Sequence, residues 1–194
     1  MTRIGITGGI GSGKSTVSRY WSSCFDVPLL DLDQICRDLL VQGEPGWQAM
    51  AKRFGNRFFR DDGSLDRTSL RAALFANSGF RQQVDDILHP LARLSMHERI
   101  STVAARVVLV EIPLLCEAGW HQDVDRIVLV YAGAATRIHR IAARDAITTH
   151  EAEQALAAQW SLEKKISWAD HVVDNSGVWP ATCLEIRHLG TLYS

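Results

Sequence analysis

The chain has 194 residues, of which 46% are hydrophobic and 22% charged, with a formal net charge of −1. That is ordinary globular composition with room for a real core, and it points neither to a nucleic-acid partner nor to an anionic membrane surface. Four cysteines at 24, 36, 116 and 183 form no C-x-x-C pair, which argues against a zinc site or a disulfide framework and fits a reducing compartment.

Arg3-Ile4-Gly5-Ile6-Thr7 reads as a buried parallel strand. It leads straight into Gly8-Gly9-Ile10-Gly11-Ser12-Gly13-Lys14-Ser15-Thr16, where Gly8, Gly13, Lys14 and Ser15 fill the fixed places of G-x-x-x-x-G-K-[ST]. The residue types suit the chemistry of a phosphate chain. Glycines at 8, 9, 11 and 13 let the backbone turn its N–H groups toward an anion at close range. The helix that follows, marked by Val17, Tyr20, Trp21 and Cys24, presents its positive end. Lys14 is placed to reach the β- and γ-phosphates and the Ser15 hydroxyl to ligate Mg²⁺. The start of the chain leaves no room for a signal peptide's apolar stretch, and the run Val107–Leu115, broken by Glu111 and Pro113, is too short to span a bilayer. The expectation is a soluble cytoplasmic protein.

Val27–Leu30 reads as a second strand ending in Asp31-Leu32-Asp33. In open α/β sheets, ligands bind beyond the carboxyl ends of the strands, so both carboxylates are expected near the glycine loop. Their alternation in an extended segment would point them to one side, although Asp33 would serve equally as a helix N-cap. From 34 to 104 the pattern is helical, with turns at Gly43–Gly46 and Asp61–Gly63 and a cap at Asp66. Val84, Leu88, Leu91 and Leu94 form an apolar stripe in which Pro90 predicts a break, with His89 biased out of the helical region. Such an insertion is a natural home for a second substrate, or else a helical insertion with no binding role.

Arg106–Glu111 restores the signal of a central parallel strand and ends on an acid. Glu111 resembles the strand-end acid that helps hold Mg²⁺ in P-loop enzymes, with Glu in place of the usual Asp; a surface acid is the alternative. Asp125–Val130 reads as a further strand. The next helix carries Arg137, Arg140 and Arg144 on one face, either a solvated basic face or a mobile lid whose guanidiniums close over a transferring phosphate. Thr148–Glu151 matches a capping box for a helix running to Gln159. Trp160 and Trp168 read as packing residues. His171–Val173 is a last strand before Asp174-Asn175-Ser176-Gly177, and a helix with Leu184 and Leu189 closes the chain.

In this order the elements have the plan of a small-molecule kinase. The sequence closely resembles the bacterial dephospho-CoA kinases, through GITGGIGSGKSTV at 5–17, PLLDLD at 28–33, DGSLDR at 62–67 and ILHP at 87–90. The match continues with IPLLCE at 112–117, DRIVLV at 125–130, AAQ at 157–159 and VVDNSG at 172–177. The resemblance implies a three-layer α/β P-loop kinase fold with a parallel sheet, a helical substrate-binding insertion and a helical lid. Its nucleotide-binding core would be 1–33, 105–135 and 169–194, its CoA-binding insertion 34–104 and its lid 136–168. The implied reaction is ATP-dependent phosphorylation of the ribose 3′-hydroxyl of dephospho-CoA, with Mg²⁺ at Ser15. Asp33 would be the general base, Lys14 and Arg140 the other catalytic groups. Gly9, Gly11, Ser12, Gly13, Lys14, Ser15, Thr16, Arg144 and Asn175 would hold the nucleotide, and His89, Leu114 and Glu117, with Asp33, the acceptor. The partner is thus a small molecule, with neither nucleic acid nor membrane, and the chain a monomer or weak homo-oligomer.

The chain departs from the family pattern at Leu162 and Lys165, which stand where arginines are usual, and at Glu111. A shikimate kinase also pairs a P-loop with D-x-D, but its glycine triplet is missing and the insertion is long. A GTP-dependent switch would need N-K-x-D, which the sequence lacks.

Overall fold

Five strands form one parallel sheet in the order β2-β3-β1-β4-β5. They are β1 (Thr2–Gly8), β2 (Leu29–Asp31), β3 (Val107–Glu111), β4 (Arg126–Tyr131) and β5 (His171–Asp174). The computed structural model describes residues 1–194. Strands β1, β3 and β4 lie inside the sheet; the continuous runs Val107–Val110 and Ile127–Val130 are what burial on both faces requires, while β1 alternates Ile4 and Ile6 with the small Gly5 and Thr7. Ile4 and Ile6, with Leu109, Val128, Val130 and Val173, face two helices, α1 (Lys14–Phe25) and α9 (Trp179–Tyr193). Val17, Trp21, Ile186 and Leu189 fill that layer. On the opposite face Gly5 packs closely against Leu115 and Val124.

The chain divides into two compact units, Met1–Asp31 with Val103–Ser194, and Leu32–Thr102. The first holds the sheet together with α6 (Ala134–Asp145), α7 (Thr149–Ala157) and α8 (Leu162–Ile166). The lid expected over 136–168 therefore belongs to the same compact unit as the sheet. Thr148 and Glu151 form the expected capping box, but α7 stops at Ala157, short of Gln159. Trp168 is half exposed and carries the His121 ring at 4.9 Å, while Lys164 sits 3.5 Å over Trp160.

The second unit contains α2 (Leu32–Leu39), α3 (Pro45–Phe54), α4 (Arg67–Ala76) and α5 (Ser78–Ser101). Met50, Phe58, Leu65, Leu70, Phe80, Val84 and Leu88 are its core. Asp66 caps α4 by accepting the amides of Thr68 and Ser69, each at 3.1 Å. Three expectations do not hold in this unit. Pro45 opens α3 instead of sitting in a turn, since its fixed φ suits a first helical position. Asp33 lies in the first turn of α2, so the alternation argued for an extended Asp31–Asp33 segment does not apply. Helix α5 runs through Pro90 for 24 residues, and His89 is helical. Phe80, Val84, Leu88, Ala92, Met96 and Ile100 are buried along it at every fourth residue. That stripe offsets the single hydrogen bond a proline removes.

Candidate active site

The loop between β1 and α1 lies at the carboxyl edge of the sheet, and the neighbouring strand β3 ends level with it, Glu111 pairing in register with Ile6. Gly13 takes φ 83°, ψ 22° as it enters α1, a left-handed turn that only glycine makes without strain. A side chain there would also collide with the Asn175 amide. From this turn Lys14, Ser15 and Ser18 descend along one side of the first turns of α1, and all three reach Glu111. The Lys14 ammonium and the Ser15 hydroxyl both meet Oε1, and the Ser18 hydroxyl donates to Oε2. Glu111 is 4% exposed, so an unpaired carboxylate there would be costly. Burial pushes its carboxyl up, but the Lys14 charge and the hydrogen bonds from Lys14, Ser15 and Ser18 outweigh it and hold the pKa below the ordinary range.

The back of the loop is held by a separate set of donors. Arg137 Nε donates to the Ile10 carbonyl at 2.9 Å, and Asn175 Nδ2 to the Ser12 carbonyl at 2.8 Å. Arg140 reaches the Asn175 carbonyl at 2.9 Å and, more loosely, those of Ser12 and Gly11 at 3.4 and 3.5 Å. In a trans peptide the N–H points opposite the C=O. Drawing the carbonyls of Ile10 and Ser12 outward therefore turns the amides of Gly11 and Gly13 inward, as an anion cradle needs. The Ser12 hydroxyl is buried with no partner. On the other side Gln159 Oε1 accepts the Ile10 amide at 2.9 Å.

Two of the three helix arginines therefore brace the loop backbone. Arg137 is 6% exposed, close enough to Gly9 that any side chain there would strike its guanidinium, and burial pulls its pKa below the usual value. Arg144 is paired with Asp145 at 2.7 Å on the surface. Thr16 is exposed beside the loop and, with Gly13, Arg140, Asn175, Gly177 and Trp179, lines a cavity of about 260 Å³. Asn175 is 5% exposed, and its carbonyl side accepts from Thr182 at 3.3 Å.

The acceptor-side residues are divided between the two units. Leu114 is 41% exposed on the turn after β3. Glu117, on that same turn, lies 2.6 Å from the buried ammonium of Lys165. In the helical unit, Asp33 sits two residues beyond the end of β2 along the chain. His89 stands 3.8 Å from Asp85, one turn away on α5. Burial raises the Asp85 carboxyl, with His89 and Arg81 acting against it. Sequence reasoning passed over Ser18 and gave Gln159 no role. Ser18 was findable, three residues after Ser15 and so on the same helix face.

The dephospho-CoA kinase family model matches residues 2–180. The dephospho-CoA kinase of Shouchella clausii is 39% identical over 178 residues, covering 90% of each chain. That of Shigella flexneri is 34% identical over 190 residues, 98% of this chain and 92% of its own. Among solved structures, TT1252 from Thermus thermophilus aligns with a TM-score of 0.84 at 30% identity, over 100% of this chain and 98% of that one. A dephospho-CoA kinase from Campylobacter jejuni aligns at 0.70 and 21% identity over 96% and 94%, and a shikimate kinase from Acinetobacter baumannii at 0.55 and 16% over 99% and 92%. The last two speak to the fold. A match across nearly the whole chain, together with relatives at 34–39% identity, makes this chain a member of the dephospho-CoA kinase family.

Proposed function

We propose that the chain transfers the γ-phosphoryl group of ATP to the ribose 3′-hydroxyl of dephospho-CoA, giving CoA and ADP, the last step of coenzyme A biosynthesis. Membership of the dephospho-CoA kinase family carries the choice of acceptor, and the convergence of Lys14, Ser15 and Ser18 on the buried Glu111 at the mouth of a glycine loop carries the choice of donor. Lys14 exchanges Glu111 for the phosphates when ATP enters, and the inward amides of the loop take up the remaining oxygens. Ser15 and Glu111 offer a hydroxyl and a carboxylate, hard oxygen donors of the kind Mg²⁺ takes alongside substrate phosphates. When bound, the ion would neutralise charge on the phosphate oxygens.

Asp33 accepts the proton of the ribose hydroxyl, which is a poor nucleophile until a carboxylate does so. Arg140 supports the transferring group both through its charge and through the loop it braces. His89 and Leu114 are assigned to the acceptor, and the helical unit to the bulk of the CoA moiety. Thr16 and Asn175 flank the cavity that would receive the rest of the nucleotide. Arg144, paired with Asp145, would have to leave that partner to join them.

The test is ADP release on adding dephospho-CoA to protein, ATP and Mg²⁺. Turnover of shikimate and not of dephospho-CoA would overturn the reading. Asp33→Asn should retain ATP binding and lose roughly 10²-fold or more in turnover; near-normal turnover would remove Asp33 from the role of base.

A further inference from the structure

Helix α8 spans five residues, Leu162–Ile166, too few to hold themselves helical in water. Its place must come from what it packs on. Two of its side chains are buried, Leu162 at 1% and Lys165 at 0% exposure, spaced three apart and so on one face. Leu162 lies against Gly9 of the phosphate loop. Gln159, three residues before it, takes the Ile10 amide. Lys165 carries its ammonium to within 2.6 Å of Glu117 Oε1.

Glu117 is a fixed point. The turn that bears it is tied to β1, Thr7 donating its hydroxyl to the Pro113 carbonyl at 3.3 Å and the Ile112 amide reaching Ile6 at 2.9 Å. Within the turn the Ala118 amide bonds the Leu114 carbonyl at 2.9 Å. The Lys165–Glu117 contact lies outside hydrogen-bond angles, so charge holds it and not donor direction. A buried charge stripped of its counter-charge is strongly destabilising, whereas an apolar pair of the same bulk is not. The energetic use of such a pair is therefore selectivity among arrangements.

The competing arrangement is visible in the sequence. Lys164 is the neighbour of Lys165 and lies over the Trp160 ring, toward solvent. Turning α8 by one residue would exchange the two lysines and carry Leu162 off Gly9. We propose that Lys165 and Glu117 are positioning residues for phosphate binding: the buried pair fixes the register of α8, which in turn seats Leu162 and Gln159 on the glycine loop. This assigns Glu117 to the enzyme's own architecture, in place of contact with the acceptor. It rests on the reading of the loop as the ATP site and is independent of which hydroxyl receives the phosphate.

The test combines amide hydrogen exchange at Ile10 in the full chain with steady-state kinetics. Lys165→Met should speed exchange at Ile10 and raise KM for ATP by roughly 10- to 100-fold, the size of a displaced binding element, with a smaller change in KM for dephospho-CoA. Lys165→Arg, which keeps the charge, should restore both. The double variant Glu117→Leu/Lys165→Met guards against simple misfolding. Removing both charges should recover the thermal midpoint while Ile10 exchange stays fast. Recovery of Ile10 protection and KM along with the midpoint would show that shape alone seats the helix, and would overturn the proposal. So would Lys165→Met with unchanged Ile10 exchange. Absence of dephospho-CoA turnover in the wild type, with Ile10 exchange still responding to Lys165, would sink the proposed acceptor and leave this inference standing.

Discussion

Two lysine–glutamate pairs take their acids from one short stretch, Glu111 at the end of strand β3 and Glu117 on the turn after it, and they are built to opposite ends. Lys14 and Glu111 have side chains 11% and 5% exposed, and the carboxylate is further held by Ser15 and Ser18. Lys165 and Glu117 have side chains 0% and 15% exposed, and their contact carries no hydrogen-bond geometry. The first pair leaves the anion fully satisfied and the cation at the mouth of an anion cradle. Glu111 can therefore give up Lys14 to a phosphate and keep its two hydroxyl donors. The second has no such reserve on either partner. One pair is made to be exchanged and the other to stay, although residue type and spacing from β3 hardly distinguish them.

The largest effect that would break this comparison is at Lys14. Lys14→Ala should abolish productive ATP binding, measured by calorimetric titration with ATP and Mg²⁺; near-normal affinity would mean that the pair is structural, like Lys165–Glu117. Next comes Arg140→Ala, expected to lower kcat by roughly 10²-fold, the scale for losing one donor to a developing charge. It should weaken dephospho-CoA binding far less, and a loss confined to that binding would remove Arg140 from the phosphoryl-transfer step. Asn175→Ala leaves the Ser12 carbonyl without its buried donor and should cost about 1–3 kcal/mol of stability by chemical denaturation. An unchanged midpoint would mean that Arg140 alone holds that peptide.

The strands and the loop were legible because their signals are local. Continuous runs such as Val107–Val110 fit only a doubly covered strand, and glycine spacing with Lys14 and Ser15 encodes an anion cradle directly. What was misread depends on partners distant in the chain. Pro90 reads as a break until the fourfold repeat from Phe80 to Ile100 is seen packed. The spacing of Arg137 and Arg140 places them on one face but does not say that the face looks inward onto loop carbonyls. Lys165, standing where the family has an arginine, reads as a lid cation for the nucleotide, whereas it is buried against Glu117. Only Glu117, 48 residues earlier in the chain, explains its burial.

The smallest effect concerns acid. Glu111 has a folded-state pKa below its unfolded value, because Lys14 and the two serine hydroxyls outweigh burial. A depressed carboxylate contributes stability that is present above its unfolded pKa, near 4.5, and is lost as pH falls through the lowered folded value. Thermal midpoints of the apo protein should therefore decline below about pH 4.5 with a contribution that Glu111→Gln abolishes. The amide keeps the two hydroxyl contacts but not the charge, so the variant should start less stable at neutral pH and converge on the parent in acid. ATP added to both proteins should narrow the difference at neutral pH, since the parent must give up its Lys14–Glu111 pair to bind phosphate and the variant has no such pair to lose. A difference that ATP leaves unchanged would mean that Lys14 never leaves Glu111, and the exchange of partners on which the proposed binding of ATP depends would be refuted.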